Sequence, residues 1–558
     1  TLTAGDVTGS IASGFPDKLF DSGSVSFTDL DLNDLPTATR STVSIVGAVR
    51  GGQAGSLTLS SAQQTVITNA FSLTPGSSNA NTGTVNWNYT INQADIDFLG
   101  SGQSVTAVFR ITVADGHGGS ATQDVTINLA GKNNAPVVSL TGSDSAAQTL
   151  AETDAALTHT GTLTVTDTNL TDAVTATVLS GTVQRNTGNT ASMSDAQKLW
   201  LTLSPSQVLS GNNRSAASGA MTWTFNSASE TFNDLAAGET LTLVYTIKVA
   251  DDADVPASDT QTITLTVAGT NDAPTITLVG SDSATAALSE TDAALSQSGT
   301  LTVGDLDTAN TVTASVHALT VSGTSNRSDA AAPSDASLKA MLTLSPTAIL
   351  DDTHTSASLA WAFDSGTEKF NYLAAGETLV LAYTVRATDS DGITVDQTVT
   401  VTLTGTNDAP TISGGPVLVN LTETNSNLSA AGTLTVADTD TSNTVSANRT
   451  LVVSGSGSRS DAAAPSDAAL LAMFKISPTA VLDNTQSSAS LAWSFNSGSE
   501  NFNYLATGET LVLTYTVTAT DTGSPALSDS NTVTITITGS NDAPVITLVQ
   551  SNNTSDSD

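Results

Sequence analysis

The residues best suited to chemistry are acids and amides that return at a fixed interval. Gly405-Thr406-Asn407-Asp408-Ala409-Pro410 recurs as Gly269-Thr270-Asn271-Asp272-Ala273-Pro274 and as Gly539-Ser540-Asn541-Asp542-Ala543-Pro544. A variant reads Gly131-Lys132-Asn133-Asn134-Ala135-Pro136. Alternating runs before each copy end on acids: Asp115, then Asp251 and Asp254, then Asp389 and Asp391, then Asp521. After three of the copies come Glu152-Thr153-Asp154, Glu290-Thr291-Asp292 and Glu423-Thr424-Asn425, and then Asp167, Asp305-Leu306-Asp307 and Asp438-Thr439-Asp440. Calcium takes about six to eight oxygens at roughly 2.3–2.6 Å, several of them carboxylate. No single segment here supplies that many, so a calcium site must be assembled from several. The competing reading is that Asp and Asn at strand ends are turn formers. Recurrence of the whole set in register favours calcium. Gathered carboxylates without a cation also repel by about 1 kcal/mol per pair at 4 Å in water.

Other chemistries lack their residues. His117, His159, His317 and His354 share no register, and no Gly-x-Ser-x-Gly, His-Glu-x-x-His or phosphate-binding loop occurs. Asp389-Ser390-Asp391-Gly392 begins like an EF-hand but lacks its glycine at position six and its glutamate at twelve. An enzyme is therefore the least supported class.

The elements that must position these acids are strands. A chain of 558 residues exceeds one hydrophobic core and suggests about four domains. The four prolines of the recurring motif lie 138, 136 and 134 residues apart, which marks a tandem array. The modules run 1–132, 133–270, 271–406 and 407–540, with 541–558 as the start of a further junction or a tail. In the third module, Leu379, Leu381, Tyr383, Val385 and Ala387 alternate with outward Thr384, Arg386 and Thr388. Such period-two patterning, broken by Gly and Asp turns, predicts an all-β array of Ig-like or cadherin-like β-sandwiches. A closed barrel would show the same alternation. Each module carries one Trp in register, Trp87, Trp223, Trp361 and Trp493, read as core, with a sugar-stacking platform as the alternative. One short helix is predicted per module, as at Ser334 to Met341 with Ser334 as N-cap.

Hydrophobic residues make up 39% and aromatics 4% of the chain, so the cores are thin and built from Val, Leu, Ile and Thr. The net charge of −37 disfavours nucleic acid and anionic membrane, and favours cations or plain solubility. The absence of cysteine fits a reducing compartment, or an exported protein stapled by other means. No stretch approaches the 18 or so apolar residues needed to span a bilayer. Thr1 begins in mid-pattern and Asp558 ends just past a junction, which reads as an excerpt or processed piece of a longer protein.

Trp87-Asn88-Tyr89, Asp97-Phe98-Leu99-Gly100-Ser101-Gly102-Gln103, Asp115-Gly116-His117-Gly118-Gly119 and Asn133-Asn134-Ala135-Pro136 resemble a VCBS repeat. Modules two to four resemble VCBS or bacterial cadherin-like repeats through Phe-Asn-x-Leu-x-x-Gly-Glu and Gly-Thr-Asn-Asp-Ala-Pro. The likeness spans essentially the whole chain. It implies a segment of a large secreted bacterial surface protein, often an adhesin exported by type I secretion, acting in cell adhesion, biofilm or matrix. It also implies stiffening by calcium bound at module junctions, through a linker Asx, a Glu-led motif and an Asp-x-Asp. Junction one departs by Asn134 and module four by Asn425; calcium-binding β-roll nonapeptides are absent.

Sandwich loops cluster at two poles, so strand-end acids of one module are expected to meet loops of the next. The expected seam sets are Asp389, Asp391, Asn407, Asp408, Glu423, Asp438 and Asp440; Asp251, Asp254, Asn271, Asp272, Glu290, Asp305 and Asp307; and Asp115, Asn133, Asn134, Glu152 and Asp167. Asp154, Asp292, Asp521, Asn541 and Asp542 join by the same rule. At roughly 40 Å per sandwich, four modules make a rod of about 160–180 Å. The leading function is a calcium-stiffened extender whose partners are neighbouring repeats. The alternatives are a glycan- or protein-binding module, with the loop Arg50 to Gly55 of module one as candidate, and a filament subunit that exchanges an edge strand.

Overall fold

A computed structural model describes residues 2–3, 17–31, 34–51, 54–75, 82–186, 188–211, 215–460 and 463–547. Gly52 and Gln53 of the candidate binding loop, and residues 548–558, lie outside these. The chain divides into two compact units, Thr1–Asp272 and Ala273–Asp558, and its buried apolar residues form four separate clusters. Sheets come in face-to-face pairs, not closed cylinders, which decides for sandwiches over barrels.

In the third sandwich the larger sheet is ordered Thr285–Ser289, Thr394–Thr404, Thr378–Asp389, Val312–Gly323 and Ala348–Leu350. Its partner is ordered Thr275–Thr277, Ser296–Gly304, Ser356–Asp364 and Leu342–Ser345. The fourth sandwich repeats this arrangement, with five strands against four. Alternation does what the pattern predicts: Leu379, Leu381, Tyr383, Val385 and Ala387 are buried, facing Leu301, Leu359 and Phe363 across the sandwich. Every second side chain of a pleated strand faces the opposing sheet, so a thin aliphatic core suffices.

Two features set the register. Trp223, Trp361 and Trp493 are buried and Trp87 is half-buried, so the tryptophans are core. Opposite each sits a glycine: Gly23, Gly161, Gly299 and Gly432. A Cβ on Gly299 would stand 2.6 Å from the Trp361 ring, so the indole lies flat where a side chain would be. The short helix Asp335–Ala340 is capped by Ser334, whose Oγ accepts from the Ser337 amide, close to the predicted span. It is tied to the long strand because the Tyr383 hydroxyl donates to Leu338 O at 2.8 Å. Tyr245 and Tyr515 make the same bond to Gln197 O and Leu470 O. Among the described residues no helix is long and apolar enough to cross a membrane.

Candidate metal centre

Strand direction decides which acids can meet. Thr378–Asp389 runs antiparallel to Thr394–Thr404, so Asp389 lies at one pole and Thr404 at the other, about 35 Å away over eleven residues. The edge strand Thr285–Ser289 instead pairs parallel with the end of Thr394–Thr404, Ser289 opposite Thr404. Glu290 is thereby delivered to the pole from which Gly405 to Pro410 leaves. Gly405 packs tightly there: a Cβ would fall 2.2 Å from Leu373 O. On the fourth sandwich, Thr411 pairs with Ala437, and Asp521 lies opposite Val445. Asp438, Asp440 and Asp521 therefore crowd the pole that receives the linker.

The seam at 405–410 is closed by carboxylates accepting from the linker. Glu290 Oε2 accepts from the Thr406 hydroxyl at 2.5 Å and from its amide at 3.3 Å. The Asp408 amide donates to Asp440 Oδ2 at 2.8 Å, and Asp408 Oδ2 accepts from the Thr439 hydroxyl at 3.0 Å. Asn407 Nδ2 donates to Asp521 Oδ2 and to Pro525 O, both at 3.1 Å. Asn443 Nδ2 donates to Asn407 Oδ1 at 2.7 Å. Asp438 Oδ1 accepts from the Asp440 amide at 2.9 Å. Three carboxylate oxygens remain buried with no hydrogen-bond partner: Glu290 Oε1, Asp438 Oδ2 and Asp440 Oδ1.

The electrostatics follow. Burial, with the charges of Asp408, Asp438 and Glu290, pushes the Asp440 carboxyl up to about 8. Burial raises Asp438 to about 6, with the Asp521 and Asp408 charges adding to it. Burial also lifts Glu290 and Asp408 above their ordinary range, and Asp292, itself held by Asn371, adds to the rise at Asp408. Among the described residues no Lys or Arg forms an ion pair with any of these groups. Buried anionic oxygens without donors are costly, and an oxygen-only donor set of this kind suits a hard divalent cation.

Half-centres of the same make occur elsewhere. Glu152 Oε2 accepts from the Thr270 hydroxyl and amide, with Oε1 buried and partnerless. The Asp272 carboxyl beside it is raised by burial and by the Glu152 and Asp154 charges. Glu423 clasps Ser540 likewise, ahead of Asn541 and Asp542. At the first pole of the third sandwich, Asp305 accepts from the Asp307 amide, and Asp307 accepts from Asn310. Asp389 closes the same pole, opposite Val312.

The expected seam sets are thus regrouped. Asp389 and the exposed Asp391 lie at the pole opposite Asn407 and Asp408. Glu423 belongs with Ser540, Glu290 with Thr406 and Glu152 with Thr270. Asp251 accepts from Asn133 at 3.1 Å, away from Asn271, and Asp254 pairs with Arg50 at 3.2 Å. Asp115 lies at the far pole from Asn133, where its carboxylate comes within 4.8 Å of those of Asp29 and Asp34. Asp115 is held low chiefly by the His117 amide. Asp167 accepts from the amide of Asn169, whose side chain in turn accepts from the Asn134 amide of the 131–136 linker. Sequence reasoning missed Asn443, Asn310, Asp29 and Asp34. Asn310 and Asn443 each stand three residues after an Asp-x-Asp, and that recurrence was the available signal.

The fold is a tandem array of β-sandwiches with acidic residues at their seams. Solved structures similar to the chain include extracellular cadherin repeats. The protocadherin gamma B2 extracellular cadherin domains 1–5 match at 13% identity and a TM-score of 0.33, over 92% of this chain and 80% of that one. Mouse cadherin-23 EC22–24 matches at 13% and 0.29, over 73% and 100%. Drosophila N-cadherin EC1–4 matches at 13% and 0.21, over 85% and 92%. Likeness at this level bears on neither ligand nor activity. No family model matches the chain, and no curated protein does.

Proposed function

We propose that this chain is a non-catalytic spacer, a run of β-sandwich modules stiffened by calcium at their junctions, within a secreted surface or adhesive protein. The carrying observation is the set of three buried, partnerless carboxylate oxygens on Glu290, Asp438 and Asp440. They come from the two sandwiches that this linker joins, Glu290 from the third and Asp438 and Asp440 from the fourth. Calcium there takes oxygens from both sides of the seam, so binding it restrains one module relative to the next. The module limits we assign, 1–132, 133–270, 271–406 and 407–540, place each hexapeptide at a boundary. The resemblance of the motifs to VCBS and bacterial cadherin-like repeats supports an extracellular, bacterial setting.

Thermal melting and small-angle scattering, in calcium and then in EDTA, test this reading. Calcium at 100 times its dissociation constant adds about 2.7 kcal/mol per site, so the melting temperature rises with calcium. On chelation the maximum dimension becomes less well defined. An unchanged melting temperature and scattering curve would sink the proposal.

A further inference from the structure

Apolar burial does not fix the third and fourth sandwiches to one another, because their cores are separate clusters with no residue in common. A cleft of about 630 Å³ opens between them, lined by Glu368 and Tyr372 on one side and by Thr439 and Thr441 on the other. The hydrogen bonds described above gather at the linker, and a joint held at one point is free to swivel. A second point of attachment exists at the cleft. Asp329 Oδ2 of the third sandwich accepts from the Thr441 hydroxyl of the fourth at 2.7 Å. Both residues are half-buried, and Thr441 follows directly on Asp440.

Asp329 is carried on a loop that holds it in place. The strand Val312–Gly323 ends at the pole from which the linker leaves, Gly323 opposite Leu379. The chain is anchored there, because the Thr324 and Ser325 amides both donate to Thr378 O. Arg327 braces the loop: its Nη2 donates to Pro333 O at 2.8 Å and to Asp335 Oδ1 at 2.7 Å. Ala332 packs against the core of the third sandwich. Asp329 Oδ1 accepts from the Ala331 amide at 2.7 Å, which orients the carboxylate and leaves Oδ2 to Thr441. An acceptor held in position beforehand loses little freedom on making its bond, and its charge strengthens that bond. The same run, Arg-Ser-Asp-Ala-Ala-Ala-Pro-Ser-Asp, stands at 327–335 and at 459–467. Arg459 repeats the brace, to Pro465 O at 2.9 Å and to Asp467. In the second sandwich the matching stretch folds back on its own sheet, Ala191 opposite Val183, and Arg185 binds Asp234 and Glu239.

The geometry points to the loop 324–333 as a strut between the third and fourth sandwiches, which through Asp329 and Thr441 limits their swing in the absence of calcium. The joint then has a resting geometry of its own, which a cation tightens and does not create. The bond uses none of the carboxylates offered to calcium, so the inference stands apart from that reading.

The chain has no cysteine, so paired spin labels on introduced cysteines are unambiguous in the full protein. Thr343→Cys with Lys475→Cys spans the 405–410 seam from exposed strand positions. Pulsed electron–electron distances are read in excess EDTA and in excess calcium, for this pair alone and with Asp329→Ala, Asp329→Asn or Thr441→Val added. In EDTA the pair alone is expected to give a narrow distribution. Asp329→Ala and Thr441→Val are each expected to widen it about twofold or more, and the two together to add nothing further, as for partners in one contact. Asp329→Asn keeps an acceptor oxygen and is expected to stay narrower than Asp329→Ala. A distribution already broad in EDTA without these changes, or a width that ignores Asp329→Ala and Thr441→Val, would overturn the strut. Widths that depend on Asp329 and Thr441 but are equal in EDTA and calcium remove the calcium reading of this seam and leave the strut. Widths that depend on calcium but not on those two residues remove the strut and leave the calcium reading.

Discussion

Asp440 shows why the 405–410 seam works against itself without a cation. Its carboxylate is fully buried, one oxygen accepts from Asp408 and Asn443, and the other has no partner. Asp440→Asn removes a charge that burial and neighbouring carboxylates disfavour. The variant is therefore expected to melt higher than the parent in EDTA and lower in calcium. Calorimetric titration should show calcium affinity at that seam weakened by about 10–100-fold or more, the range for perturbing a metal site's supporting groups. The opposite signs in the two conditions identify a ligand; a turn residue would shift both the same way. Asp408→Ala is expected to loosen the same seam with both sandwiches still folded, read as unchanged circular dichroism with a broader Thr343–Lys475 label distance.

At the scale of elements, the sandwich depends on a few close approaches. Gly299→Ala forces a methyl against the Trp361 indole, and overpacking of this kind costs about 1–3 kcal/mol. Tyr383→Phe strips the helix Asp335–Ala340 of its buried tie to the long strand, a loss of about 1 kcal/mol. The four cores share no residues, so scanning calorimetry of either variant should shift the transition of the third sandwich alone. The helix was legible from its cap: Ser334 with Leu338 on one face is a local signal. The glycine opposite each tryptophan was not, because that pairing joins Gly299 to Trp361 across sixty-odd residues of chain.

At the scale of the whole molecule, charge and junction chemistry meet. The chain carries a net charge of −37, and some of its acids, Glu290, Asp438 and Asp440 among them, are buried at a seam where a divalent cation would neutralise them. Calcium should therefore stabilise the protein more than an equal ionic strength of sodium, which screens without ligating. Equal melting temperatures in the two salts would contradict this. The second, third and fourth sandwiches each end on a Glu clasped by Thr270, Thr406 or Ser540. The first ends on Lys132, Asn133 and Asn134.

What the sequence determined alone is whatever rests on local rules: the β class, the inward faces, the repeat interval, the short helix and the kinds of residue at the junctions. Alternation has period two, and turn residues act within a few positions, so both are visible in one stretch of chain. Which pole each acid occupies was decided only by the tertiary structure. Asp389 and Asp408 are nineteen positions apart and lie at opposite ends of a sandwich, because an antiparallel hairpin carries the chain back. Glu290 and Thr406 are 116 positions apart and touch, because an edge strand pairs parallel with the last one. Strand direction and edge pairing are non-local, and they alone bring these scattered carboxylates to one pole.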